Sequence, residues 1–120
     1  MFSRLLLGVV ILSTFSYANE GKQLYIKYNC NGCHSPYEKR TGPSFKEISQ
    51  RYGTSQKAIE KVAKLIIKPN PSNWPGFAYM PPYNIPFEEA KKLAEYVLIS
   101  SQKEKETKPK IRYIPEGDHY

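Results

Sequence analysis

The sequence predicts an all-α fold of about four short helices, and three observations carry that prediction. Apolar residues recur at three- and four-residue spacing in four separate stretches. Glycine, proline and hydroxyl residues fall at the ends of those stretches, where helices start and stop. One long stretch, Pro69 to Pro86, has no helical period and is crowded with proline, glycine and aromatics, so it reads as loop. At 120 residues there is room for one domain.

The first segment stands apart from the fold. Met1-Phe2-Ser3-Arg4 carries one positive charge, and Leu5 to Phe15 is almost wholly apolar. Ser16-Tyr17-Ala18 then offers small residues at the two positions an export peptidase reads. The apolar run falls well short of the roughly 20 residues that span a bilayer. Residues 1–18 therefore read as a cleaved signal peptide, with an uncleaved anchor as the alternative. No cysteine lies near the cleavage site to make a lipoprotein.

Residues 20–29 form the first helix, with Gly21, Leu24, Tyr25 and Tyr28 at helical spacing. Phe45, Ile48 and Tyr52 mark a second, ended by Gly53. Thr54 or Ser55 caps a third, whose apolar face is Ala58, Ile59, Val62, Leu65 and Ile66. Asn70, between Pro69 and Pro71, stops it. Pro86 opens the last helix at a first-turn position. Glu88 and Glu89 lie near that helix's positive end, and Leu93, Ala94 and Val97 form its buried stripe. The domain body is 19–102, and residues 103–120 are a charged extension. The first half of that extension reads as a solvated linker. Ile111, Tyr113 and Ile114 are apolar enough to dock on the body or a partner, with fraying as the alternative.

The chemistry begins at "CNGCH". Cys30 and Cys33 are the only cysteines. Export permits a disulfide, but a bridge across two residues closes too small a loop to stabilise much, and such bridges are usually redox-active. A thioredoxin-like reading wants a strand before the motif and a β-rich chain after it, and neither is apparent. A structural zinc site needs four protein ligands. Cys30, Cys33 and His34 supply three, and His119 lies in the charged tail. Covalent haem attachment through C-x-x-C-H remains. On a helical turn residues i, i+3 and i+4 share a face, so two thiols meet the two haem vinyl groups while His34 reaches the iron through Nε2.

A histidine-ligated haem has a sulfur, a nitrogen, water or a vacancy on its other face. Past the signal segment Met80 is the one methionine. A lone methionine is more often core filler, yet this one lies in the aperiodic stretch rather than on an amphipathic face. Pro81 and Pro82 fix φ and lack N–H groups, which stiffens the backbone after it. Met80 is the expected sixth ligand.

Cys30-Asn31-Gly32-Cys33-His34, Thr41-Gly42-Pro43, Trp74, Met80-Pro81-Pro82 and Leu93-Ala94-Glu95-Tyr96 together resemble class I monohaem cytochrome c of the short bacterial periplasmic type. The resemblance covers nearly all of residues 20–102. It implies the small cytochrome c fold, helices around one haem c held by Cys30 and Cys33. It also implies that Pro43 offers its carbonyl to the free nitrogen of His34, and that Trp74 donates to a haem propionate, with simple packing as the alternative for Trp74. Met80 follows Trp74 by six positions, one more than the short type leads us to expect. The first and last helices of the family cross closely, so Gly21 and Tyr25 are expected against Leu93 and Tyr96. About 80 ordered residues make a marginal apolar core, and the porphyrin supplies the missing centre. Tyr37, Tyr79 and Tyr83 are candidates to line its pocket.

With both axial positions filled no substrate can reach the iron, so the chain is expected to be a one-electron carrier and not an enzyme. Its expected partners are acidic redox proteins: a dehydrogenase or quinol-oxidising complex on one side, a terminal oxidase or reductase on the other. The alternative is the cytochrome subunit of a larger periplasmic oxidoreductase. A sensor or peroxidase-like protein with a labile sixth ligand is a third reading. The chain carries a net charge of +7, spread along its length without the concentrated stripe of a nucleic-acid binder. Lys27, Lys39, Arg40 and Lys46 are near enough to the haem motif to guide docking. Generic solubility is the plain alternative for the charge. The mature protein is expected to be periplasmic, monomeric and free of stable membrane insertion.

Overall fold

The computed structural model describes the backbone of residues 17–107 and the side chains of residues 19–104. The leader before Tyr17 lies outside the described residues, as do Ile111, Tyr113, Ile114 and His119. Helices α1 (Tyr17–Lys27), α2 (Phe45–Tyr52), α3 (Gln56–Ile67), α4 (Phe87–Glu95) and α5 (Ser101–Thr107) follow in chain order. Among the described residues there is no strand. No helix among them is long and apolar enough to cross a membrane.

Helix α2 starts where Ser44 and Glu47 exchange side-chain and backbone hydrogen bonds. The Glu47 N–H donates to Ser44 Oγ at 3.1 Å, and the Ser44 N–H donates to Glu47 Oε2 at 3.0 Å. This reciprocal box satisfies two of the donors a helix start leaves unpaired. It is legible in the sequence as S-F-K-E, although the apolar spacing alone locates this helix. The helix ends at Gly53, whose φ of 85° is open to glycine at little cost. Ser55, not Thr54, caps α3 by accepting from the Ala58 N–H at 3.1 Å. Pro86 stands one residue outside α4, at its cap, instead of inside the first turn. The proline has no N–H to place in the ladder, so either position is tolerated.

The core forms where α1 and α3 each pack on α4 and α2 packs on the segment after α4. Phe45, Leu93, Tyr96 and Leu98 are each at most 2 % exposed. The rings of Tyr25, Phe45 and Tyr96 make a mutual cluster with centroids 5.3–6.1 Å apart, distances at which aromatic pairs attract beyond their buried area. Gly21 lets α1 approach α4. A Cβ there would lie 2.6 Å from the Lys92 carbonyl oxygen and 2.7 Å from Tyr96 Cβ. The glycine thus meets the Lys92 backbone and Tyr96, while the Tyr25 ring packs against Tyr96 with the planes tilted by 40°. Lys92–Glu20 and Lys22–Glu104 ion pairs flank the crossing at 2.9 and 3.1 Å. Being partly exposed, each contributes at most about 1 kcal/mol.

The last helix departs from the sequence reading in two ways. Tyr96–Ser100 is π-helical, a wide turn between α4 and α5. Packing explains it: Tyr96, Val97, Leu98 and Ser100 are all buried, more faces than a regular surface helix presents. Ser49 of α2 donates to the Leu98 carbonyl at 2.9 Å within this turn. Second, helix continues through the segment read as the start of a solvated linker, up to Thr107. The Tyr37 hydroxyl donates to the Gln102 carbonyl at 2.8 Å, and Gln102 Nε2 donates to the Pro36 carbonyl at 3.1 Å. These bonds tie the start of α5 to the loop after the cysteine motif.

Candidate functional site

The "CNGCH" motif begins on a turn created by one unusual residue. Asn29 has φ 57° and ψ 30°, the left-handed region that asparagine tolerates better than most side chains. It ends the helical run of α1 and starts a 3₁₀ turn at Cys30–Gly32. The Cys33 N–H donates to the Cys30 carbonyl at 3.2 Å, and the His34 N–H donates to the same oxygen at 2.8 Å. Cys30, Cys33 and His34 therefore share a single turn. The two cysteines are not bridged to each other. Among the described residues no three Cys, His, Asp or Glu side chains are grouped to hold a metal ion by themselves, so the zinc reading gains no support.

The loop from Thr41 to Ser44 fixes the imidazole. The Gly42 N–H donates to the Cys33 carbonyl at 2.8 Å. His34 Nδ1 lies 2.8 Å from the Pro43 carbonyl oxygen. A carbonyl only accepts, so Nδ1 carries the proton and Nε2 keeps its lone pair. Burial pushes the His34 pKa below its ordinary value, against the opposing effect of the Pro43 bond. The neutral imidazole, the form that binds metal, is thus favoured. Phe45 stacks on the ring at 5.5 Å, and Tyr25 donates its hydroxyl to the His34 carbonyl at 3.2 Å. Gly42 is part of the same seat. A Cβ there would lie 2.4 Å from His34 Cε1 and 2.8 Å from Nδ1.

Another part of the cavity wall comes from the loop between α3 and α4. Asn70 caps a second 3₁₀ turn, Pro71–Asn73, through its Oδ1 and the Ser72 N–H. Trp74-Pro75-Gly76-Phe77 then reverses the chain, with the Phe77 N–H on the Trp74 carbonyl at 3.3 Å and Gly76 at φ 90°. Proline second and positive-φ glycine third are the signature of a type II turn. Farther on, the Tyr83 N–H donates to the Ile66 carbonyl at 3.4 Å and the Tyr83 hydroxyl to the Tyr28 carbonyl at 3.2 Å, pinning the loop to α3 and α1.

All six residues singled out in the sequence, Cys30, Cys33, His34, Pro43, Trp74 and Met80, line one cavity. Tyr79 and Tyr83 line it as well. Tyr37 does not; its hydroxyl donates to the Gln102 carbonyl instead. Gly42, Tyr25, Phe45 and Tyr52 also border the cavity, and sequence reasoning misses them as site residues. Gly42 sits inside the quoted Thr41-Gly42-Pro43, so its signal is present. The tyrosines carry none, being spread among ten in the chain.

The lining fits a covalently held haem. Its walls are mostly aliphatic and aromatic, and they place a neutral imidazole and a thioether on the same cavity. Burial raises the Cys30 thiol to about 11, which keeps it protonated in the absence of a reaction partner. The Tyr52 hydroxyl oxygen is buried without a hydrogen-bond partner, as expected of a group that would contact something seated in the cavity.

Comparison with known proteins agrees with this geometry. The cytochrome c family model matches residues 18–101. The chain is 35% identical over 94 residues to cytochrome c-552 of Hydrogenobacter thermophilus, covering 78% of this chain and 93% of that protein. It is 38% identical over 78 residues to cytochrome c-551 of Azotobacter vinelandii, covering 65% and 94%. Identity to cytochrome c-551 of Pseudomonas aeruginosa is 29% over 88 residues, covering 73% and 84%.

Proposed function

The chain belongs to the cytochrome c family, and from that premise we propose that it is a periplasmic one-electron carrier whose covalent haem c takes His34 and Met80 as axial ligands. The observation that carries the ligand assignment is the His34 Nδ1–Pro43 carbonyl contact at 2.8 Å. It leaves Nε2 unprotonated in a residue that shares its cavity with Met80. Haem, when bound, supplies a reversible Fe(III)/Fe(II) couple.

Each residue has a definable task. Cys30 and Cys33 hold the group through thioether bonds on one turn. His34 binds through Nε2, and the Pro43 carbonyl fixes its tautomer and orientation and raises its basicity. Met80 supplies a soft sulfur ligand, which favours Fe(II) relative to a second nitrogen. The apolar walls exclude water and disfavour the extra charge of Fe(III).

Partner encounter is assigned to the basic residues near the motif, acting on acidic redox proteins. Lys27, Lys39, Arg40 and Lys46 are all exposed. Lys39 pairs with Glu47 at 3.0 Å, and Arg40 Nη1 donates to the Asn31 carbonyl at 3.1 Å. Lys27 and Lys46 are therefore expected to carry more of the steering than Lys39. Association should slow as salt rises, and a reduction rate insensitive to ionic strength would contradict this assignment.

The carrier reading is tested by redox titration and carbon monoxide exposure of the exported holoprotein. A single reversible one-electron wave and no fast carbon monoxide binding are expected. Rapid carbon monoxide binding to the reduced protein would reveal an open or labile site and favour a sensor or enzyme.

A further inference from the structure

We infer that α5 braces the histidine side of the site: Gln102 and Tyr37 are positioning residues that clamp residues 35–37 against the start of α2 and so hold His34 Nδ1 on the Pro43 carbonyl. This deepens the ligand reading above and rests on it.

Residues 35–44, the loop that seats the imidazole, contain neither helix nor strand, and Pro36 has no N–H to contribute. The two ends of the loop are paired at its base. The Phe45 N–H donates to the Ser35 carbonyl and the Lys46 N–H to the Pro36 carbonyl, each at 3.0 Å. His34 directly precedes one end, and Pro43 stands just before the other. The 2.8 Å contact between Nδ1 and the Pro43 carbonyl therefore depends on how firmly that pairing is kept.

Helix α5 closes on the pairing. Gln102 Nε2 donates to the same Pro36 carbonyl at 3.1 Å, while the Tyr37 hydroxyl donates to the Gln102 carbonyl at 2.8 Å. The side chain and backbone of one residue thus hold two successive loop residues, and the loop cannot pivot as it could about a single bond. The amide is itself oriented, because Nε2 also lies 3.3 Å from Ser101 Oγ. That hydroxyl belongs to a fully buried serine and donates to the Val97 carbonyl at 3.0 Å.

The π-helical turn Tyr96–Ser100 sets the register of this contact. One residue more in a turn rotates everything after it by about 100° relative to a regular α-helix. The wide turn thereby decides the side on which Gln102 emerges, a role beyond the burial of its own apolar residues. Gln102 stands just past the stretch, 18–101, that the family model matches, so family membership alone does not predict the contact.

Gln102→Leu and Tyr37→Phe each remove one donor and keep most of the side-chain volume. The probe is the His34 Nδ1 proton in the reduced, diamagnetic, full-length holoprotein. Its exchange with solvent is followed by NMR, alongside the reduction potential and the melting temperature. Lys22→Gln is the control, since it breaks the 3.1 Å Lys22–Glu104 pair and loosens α5 without touching the clamp. Each clamp variant should exchange the Nδ1 proton about tenfold faster, the effect of one ordinary hydrogen bond on a local opening. Its potential should rise, because a looser Nδ1 bond makes the histidine a poorer donor to Fe(III). Lys22→Gln should melt slightly earlier with wild-type exchange and potential. Unchanged exchange and potential in both clamp variants, or equal acceleration in Lys22→Gln, would overturn the inference while leaving the ligand reading intact. Wild-type His34 ring protons without the large upfield shift of an imidazole lying over haem would overturn both.

Discussion

Replacing Gly42 with alanine tests how the chain seats the His34 imidazole, the proposed iron ligand. The added Cβ would stand 2.4 Å from His34 Cε1, where ordinary contact begins near 3.4 Å. The ring or the loop must therefore yield by about 1 Å, far more than a packed interior absorbs without cost. Phe45, stacked on the imidazole at 5.5 Å and itself 2 % exposed, resists movement in that direction. A shift of that size stretches the 2.8 Å Nδ1–Pro43 bond beyond the usual hydrogen-bond range. Overpacking costs about 1–3 kcal/mol, and an unpaired buried carbonyl costs about 1 kcal/mol or more. Gly42→Ala should therefore destabilise the oxidised holoprotein by about 2–4 kcal/mol in guanidinium unfolding. A weakened Nδ1 bond also makes the histidine a poorer donor to Fe(III), so the reduction potential should rise. Destabilisation under about 0.5 kcal/mol, within the range of neutral surface changes, together with an unchanged potential would show that Gly42 does not hold the imidazole in place.

Gly21→Ala places a Cβ against two immovable groups, the Lys92 carbonyl and Tyr96 Cβ. It should cost about 2–3 kcal/mol with no change in the haem spectrum, read by thermal unfolding followed by circular dichroism. Glu47 is held below its ordinary pKa of 4.5, chiefly by the hydrogen bond with Lys39 and then by the Ser44 bonds against opposing desolvation. A carboxylate with a depressed folded pKa stabilises above its unfolded value and loses that contribution as pH falls through the folded one. Glu47→Gln keeps the reciprocal helix box but lacks the charge. It should melt slightly earlier than wild type near neutral pH, with the gap closing as pH falls below the ordinary value of 4.5. The haem-free chain should be largely unfolded, and a native-like circular dichroism spectrum of apoprotein would contradict this.

The sequence and the structure part ways at identifiable points. Helices α2, α3 and α4 were legible because their apolar residues obey a period that only one-sided burial requires. The candidate site was legible for a different reason: cysteine, histidine and methionine bring chemistry that few other arrangements use. The π-helical stretch Tyr96–Ser100 was not, because Y-V-L-I-S is apolar on nearly every side and carries no signal for the width of the turn. The helical Lys103–Thr107 segment reads as linker by composition, yet the start of α5 is held by Tyr37, Gln102 and the Lys22–Glu104 pair. Those partners are remote in sequence. Tyr52 belongs to the same class. A hydroxyl without a partner is a fact of three-dimensional neighbours that no periodicity encodes.

Axial ligation by His34 and Met80 is the claim on which the carrier function depends. It is tested most directly by the far-red absorption spectrum of the oxidised holoprotein, wild type against Met80→Ala. A weak sulfur-to-iron band is expected in wild type and should vanish in the variant. A wild-type spectrum without that band would mean that the iron is open or bound by nitrogen, and the closed-site carrier would give way to a sensor or an enzyme.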